Sequence, residues 1–312
     1  MVCIQPTSYL DSPDFSLHVT SLISTPIHLI ALYIILRKTP AYMNTVKWYL
    51  LNLHGWIMLY DYSVGLLMEP VLLLPCLAVF PRGILSVVGV PTSFQALMVV
   101  MFLANVHVSV TAIFESRFFI LCKFTGKKYW ALLRWSRSAL YPRKIEVIVV
   151  FQKIPCLPDY FYENTFVAAV HTTFHVSTSF IFVLIVCIEV LTFVICIFWH
   201  FMQQQKCSKT FQVQKMLFFA LIIQMGVPLV MLIISLTCAF ISVLSLYYNQ
   251  KVTNFFVIIG SLHGVVSTLM MLFVHKPYRD ALKGFVSKQQ PRSQQRTRGF
   301  KVTTQKVCYL DL

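Results

Sequence analysis

Acidic side chains are scarce in this chain: 11 Asp and Glu stand against 26 Lys and Arg in 312 residues, and charged residues of both signs reach only 12%. With 57% hydrophobic residues and a mean hydropathy of +0.72, the chain has more apolar surface than a water-soluble domain needs. The short alternating segments of a β-barrel are missing, so helices must do the spanning. The nine cysteines form no C-x-x-C pair, which removes the usual structural-zinc signature. His171 and His175 have the spacing of two ligands on one helical face, but no third ligand stands at a compatible position, so no metal is expected. No N-x-[ST] sequon occurs, and no basic residue precedes the first apolar run, which begins after Asp11 and Asp14; a cleaved signal peptide is not expected. Clustered histidines and carboxylates, or a nucleophile with a base, are also lacking, so neither an enzyme nor a cofactor is indicated. Paired interrupted helices in inverted repeats are absent too, which weighs against a transporter.

Long apolar runs dominate what is present. Several exceed the ~18 residues that mark a spanning helix, which makes the chain an all-α polytopic membrane protein. Six spans stand out, at about 19–36, 49–74, 94–121, 176–201, 216–246 and 252–274. Residues 1–18 precede them as an extracellular amino terminus, the bundle covers 19–285, and 286–312 form a basic cytoplasmic tail expected to be disordered. Pro70 and Pro75 near the end of the second span predict a kink or unwinding there.

Charge sets the sidedness. All but four of the Lys and Arg (Arg82, Arg117, Lys153 and Lys251) fall in the loop after the first span, the loops after the 94–121 and 176–201 spans, and the tail. Such basic segments belong in the cytoplasm, with the tail against an anionic inner leaflet, rather than on nucleic acid. That assignment requires one more crossing between Lys144 and Val176, yet from Trp130 to Glu163 no apolar run of twenty residues exists. The fold expected is therefore a seven-transmembrane receptor-like bundle with six clear spans and a truncated fourth helix.

Few residues stand out chemically. Asp61, Glu69 and Glu189 lie within or near hydrocarbon depth, where a carboxylate costs roughly 2.5–3.5 kcal/mol on insertion scales and is normally protonated, paired or wet. Asp61 and Glu189 are candidates for polar contacts inside the bundle or a ligand pocket; Glu69 reads as loop-solvated. Cys3, Cys76 and Cys156 are placed to face an oxidising exterior, and a Cys76–Cys156 bridge is one pairing among them, since connectivity is beyond sequence. Lys276, Pro277, Tyr278 and Arg279 form an inner-leaflet turn, and an amphipathic helix is expected from Pro277 to Phe285.

The stretches STPIHLIALYIILRKTP (24–40), VKWYLLNLHGW (46–56), EPVLLLP (69–75), GVPTSFQ (89–95), FESRFFIL (114–121), IPCLPDYF (154–161), QMGVPLVML (224–232) and HGVVSTLMMLFVHKPYR (263–279) follow one another in a characteristic order. In these the chain resembles the nematode serpentine receptors of class H, chemoreceptors of the seven-transmembrane G-protein-coupled type. The resemblance implies a plasma-membrane receptor, in a sensory cilium or elsewhere, for a small-molecule ligand, with a heterotrimeric G protein as partner. Glu115 and Arg117 match the acidic–Arg motif at the inner end of span three and would serve G-protein coupling, although Ser116 stands where the family usually has Asn. Asp61 resembles an acidic position of the family's second span. A mis-spliced or non-functional product lacking the fourth helix is the rival reading, and a channel or transporter comes after it.

Overall fold

A computed structural model of the chain describes residues 11–73, 78–121, 166–167, 172–203, 209–245 and 249–287. Helix α1, Asp11–Lys38, is long enough at 1.5 Å per residue to cross ~30 Å of hydrocarbon and ends on the basic pair Arg37 and Lys38. Pro26 lies inside it, where it removes one backbone hydrogen bond. Helix α2, Asn44–Tyr62, follows a single 3-10 turn, Ala41–Met43. Lys47 reaches back across this connection and donates to the Leu36 carbonyl at 2.9 Å, satisfying one of the open carbonyls at the end of α1.

The span expected over 49–74 is divided. Helix α2 gives way to a π-helical turn, Ser63–Met68, and Glu69 closes it in the left-handed region at φ 46° and ψ 68°. Pro70 lacks the N–H a helix would need, so the chain continues as strand β1, Pro70–Leu73, which pairs antiparallel with β2, Ala78–Pro81. A third short strand, β3, Phe166–Val167, joins β2, giving the order β1-β2-β3. His18 Nδ1 lies 3.1 Å from Glu69 Oε1 and ties α1 to the start of this sheet.

A single turn, α3 (Ile84–Val87), leads to α4, Thr92–Leu121. Helices α5 (Thr172–Gln203), α6 (Lys209–Leu244, with Pro228 inside) and α7 (Gln250–Val274) follow. Helix α7 is capped by the Asn249 side chain, which accepts from the Val252 N–H at 3.3 Å. A twelve-residue amphipathic helix, α8, covers Lys276–Ser287. Stretches within α1, α4, α5, α6 and α7 are long and apolar enough to cross a membrane; α2 carries Lys47, His54 and Asp61 and is less apolar.

The long helices close into a ring in which α1 touches α2, α2 touches α4, α4 touches α5, α5 touches α6, α6 touches α7, and α7 returns to α1. Inside it pack Leu50, Leu53, Phe114, Phe193, Phe218 and Leu221, while Leu22, Ile188, Trp199 and Phe255 point outward to where lipid would lie. Helix α8 lies against α7 and α1. The sheet caps one end of the ring, the hairpin end; the turn between α1 and α2 and helix α8 mark the other, the basic end.

One pair of neighbours breaks the alternation of directions. Phe118, near the end of α4, packs against Phe193 with ring centroids 5.6 Å apart, and a cleft joins it to Trp199, His200 and Gln203 at the end of α5. Helices α4 and α5 therefore run side by side in the same direction. By contrast, Phe201–Phe211 and Phe180–Phe240 pair α5 with α6 in antiparallel order. Leu121 thus lies at the basic end, whereas β3 joins the sheet at the hairpin end. The interval between them, 122–165, contains the stretch where no twenty-residue apolar run exists, and it lies outside the described residues, as do Cys3, Cys76, Cys156 and the tail from 288 onward.

Candidate functional site

Three levels of the ring carry polar or hollow features. At the hairpin end a cavity of about 280 Å³ opens between α2, α4, α6 and α7, roofed by Pro70, Leu72 and Val79 of the sheet. Its wall is almost wholly apolar, with Val99, Leu103, Leu236 and Phe256 among the lining side chains and Tyr60, Ser235, Ser242 and Thr253 supplying hydroxyls. No Asp, Glu, Lys or Arg lines it among the described residues.

Below the cavity lies a buried polar cluster. Asp61 Oδ2 is 3.0 Å from His28 Nε2, and the other ring nitrogen of His28 is 3.2 Å from Thr268 Oγ1. Thr268 also donates to the Gly264 carbonyl, at 2.8 Å. Because Thr268 has one hydroxyl proton and spends it on Gly264, its oxygen must accept from His28 Nδ1–H. Nε2 then either donates to an ionised Asp61 or accepts from a protonated one. In both cases the pair is net neutral, as a site at hydrocarbon depth favours. His54 joins from α2, with Nε2 3.1 Å from the His28 carbonyl. Gly264 has to be glycine here: a Cβ would run into the Asp61 carboxylate. The cluster thus ties α1, α2 and α7 together through atoms the side chains cannot easily withdraw.

The basic end holds the third level. Arg117 on α4 is buried near Tyr49 of α2 and His275, which follows α7. Glu115 is also buried, two residues back and therefore on another side of the helix from Arg117. His275 Nε2–H donates to Gln224 Oε1 on α6 at 2.7 Å. Tyr278 is fully buried and its hydroxyl lies 3.1 Å from Thr39 Oγ1; as Thr39 gives its own proton to the Ile35 carbonyl, Tyr278 is the donor. Lys276 and Arg279 beside it are exposed and Pro277 is half-buried, so this turn presents two cations outward and one aromatic inward.

Matching stretches of sequence agree with this architecture. A sequence model of the family described as "Serpentine type 7TM GPCR chemoreceptor Srh" matches residues 11–142 and 143–288. The chain belongs to that family. It is 28% identical over 298 residues to Serpentine receptor class H-72 of Caenorhabditis elegans, an alignment covering 88% of this chain and 85% of that receptor. The chain is thus an integral, multi-pass membrane protein of a family of receptors. Its two matched stretches meet between residues 142 and 143, inside the interval 122–165.

Among the residues singled out by sequence, Asp61 sits in the buried cluster and does not line the cavity; its neighbour Tyr60 does. Glu189 is half-buried on α5 and does not line the cavity either. Val186, Val190, Phe193 and Ile197 take the inward face of that helix, which leaves Glu189 beside it. Glu69 is buried rather than loop-solvated, because the hairpin folds back over it. His28, Tyr60, Gln224, His263, Thr268 and His275 escape a reading of the sequence alone. The signal available for them is a polar side chain inside an apolar run, which is costly unless partnered.

Proposed function

We propose that this chain is a chemosensory receptor of the plasma membrane, in a sensory cilium or elsewhere, in which a small molecule held in the hairpin-end cavity governs coupling to a heterotrimeric G protein at the basic end. The observation that carries the reading is the cavity itself: apolar, and lined by α2, α4, α6 and α7, whose relative positions a ligand would bias. A ligand acts only through its different affinity for the two helix arrangements. At the other end Gln224 of α6 holds His275 at the junction of α7 and α8, Tyr278 of α8 holds Thr39 after α1, and Arg117 of α4 lies near His275, so a shift of α6 or α7 would be felt there. The hairpin end faces outward in this reading and Glu115 and Arg117 serve coupling.

The test is a G-protein reporter assay in cells screened with a panel of volatile and water-soluble small molecules. A responding wild type should lose its response to Arg117→Ala at equal surface level and to Ala239→Trp, which puts an indole into the cavity that Ala239 of α6 lines. A response unchanged by Ala239→Trp refutes the cavity as the ligand site.

A second reading has its own observation. Helices α4 and α5 run in one direction, yet the interval between them has no twenty-residue apolar run, and the family match is divided there. A transcript joined without its fourth-helix coding segment would leave this pattern. Sequencing transcripts across codons 122–171 decides between the readings: a longer transcript with an apolar insert of about 20 residues identifies the present chain as the short form.

A further inference from the structure

Of the hydroxyls that line the cavity, two are already committed. Ser235 donates to the Met231 carbonyl at 3.1 Å and Thr253 to the Asn249 carbonyl at 3.2 Å. Ser242 is half-buried, near the hairpin end of α6. Tyr60 is 8% exposed and lines the cavity, and its hydroxyl, unlike those of Ser235 and Thr253, forms no hydrogen bond among the described residues. The ring is held in place edge-on against His263, with centroids 6.0 Å apart and planes at 89°. His263 is itself buried, with Nδ1 lacking a partner. The Tyr60 hydroxyl borders the cavity with its proton free to be donated, so an acceptor held in the cavity would complete it.

Resting on the reading of the cavity as the ligand site, we propose that Tyr60 is its specificity-determining residue, donating a hydrogen bond to an uncharged ligand that carries one acceptor oxygen, such as a ketone or ether, on an apolar body. No charged side chain lines the cavity among the described residues, which disfavours carboxylates and amines, whose ions would be stripped of water with no counter-charge there to meet them. The volume of about 280 Å³ lies at the small end of ligand sites, which limits the body to a short chain or a single ring. Tyr60 precedes Asp61, so the hydrogen bond would also fix the residue next to the buried cluster that joins α1, α2 and α7.

The test uses the purified full chain in lipid nanodiscs and thermal-shift titration with four probe series of six to ten carbons: methyl ketones, alkanes, carboxylates and primary amines. Wild type should bind a ketone about fivefold more tightly than the matching alkane, the worth of one neutral hydrogen bond. Tyr60→Phe should bring ketone and alkane to the same affinity, while Ser235→Ala should leave the preference intact. Ala239→Trp should abolish specific binding and supplies the baseline for partition into lipid. Ketone preference surviving in Tyr60→Phe overturns the role of Tyr60. Carboxylates or amines binding as well as ketones, or no ketone binding to wild type, overturn the ligand class. Ketone binding untouched by Ala239→Trp strikes instead at the cavity reading beneath it, so the two failures are distinguishable.

Discussion

Gly264→Ala is the smallest change that should damage the fold. The added methyl would overlap Asp61 Oδ2, Cγ and Oδ1. Asp61 cannot simply turn aside, because Oδ2 is held by His28, and His28 is held by Thr268 one turn along the helix that carries Gly264. Overpacking of this kind costs about 1–3 kcal/mol. Loss of the His28–Asp61 bond leaves a buried polar group unsatisfied, at about 1–3 kcal/mol more. The total is on the order of 3 kcal/mol, roughly a hundredfold in the folded-to-unfolded ratio. Gly55 and Gly226 have open space where a Cβ would stand, so alanine there should be neutral or stabilising by up to about 1 kcal/mol through helix propensity. Thermal unfolding of the detergent-solubilised variants, followed with a thiol-reactive dye, compares the three. The cycle with Asp61→Ala is decisive: once the carboxylate is gone, Gly264→Ala should cost nothing further. If Gly264→Ala melts with Gly226→Ala, or if its cost persists without the carboxylate, the packing argument is wrong.

Other expectations follow from the basic end and the tail. Gln224→Leu should destabilise by about 1–3 kcal/mol, since His275 keeps its burial and loses its acceptor; thermal unfolding measures it. Tyr278→Phe should cost about 1 kcal/mol, the worth of its bond to Thr39, and a double-mutant cycle with Thr39→Val should show the two are coupled. Arg117→Ala should impair G-protein activation at equal surface level; unchanged activation would remove Arg117 from the coupling site. A peptide of residues 283–312 should sediment with phosphatidylserine vesicles and be released by high salt, each basic residue adding up to about 1 kcal/mol; equal binding to neutral vesicles contradicts an electrostatic attachment.

The helical membrane class was legible because lipid imposes a coarse rule: about twenty apolar residues and basic ends. Family membership was legible as well, from motifs in order rather than from any single one. The fate of the second span was half legible. Pro70 and Pro75 announced an interruption, but not that Glu69 would turn into the left-handed region and start a strand. The cluster around Asp61 was legible only as an acid needing a partner. Its partners come from residue 28 and residue 268, on helices whose rotation no local pattern fixes, since apolar residues surround the whole of each span. Cavities are harder still, because Tyr60 and Phe256 meet only once four helices are placed.

In the proposed receptor the cavity and the basic end face opposite compartments. An epitope inserted between β1 and β2, in residues 74–77, and a reporter fused after Leu312 would locate both ends in the same intact cells. A receptor so oriented has a surface-accessible epitope and a cytoplasmic reporter. Epitope and reporter on the same side of the membrane would contradict it.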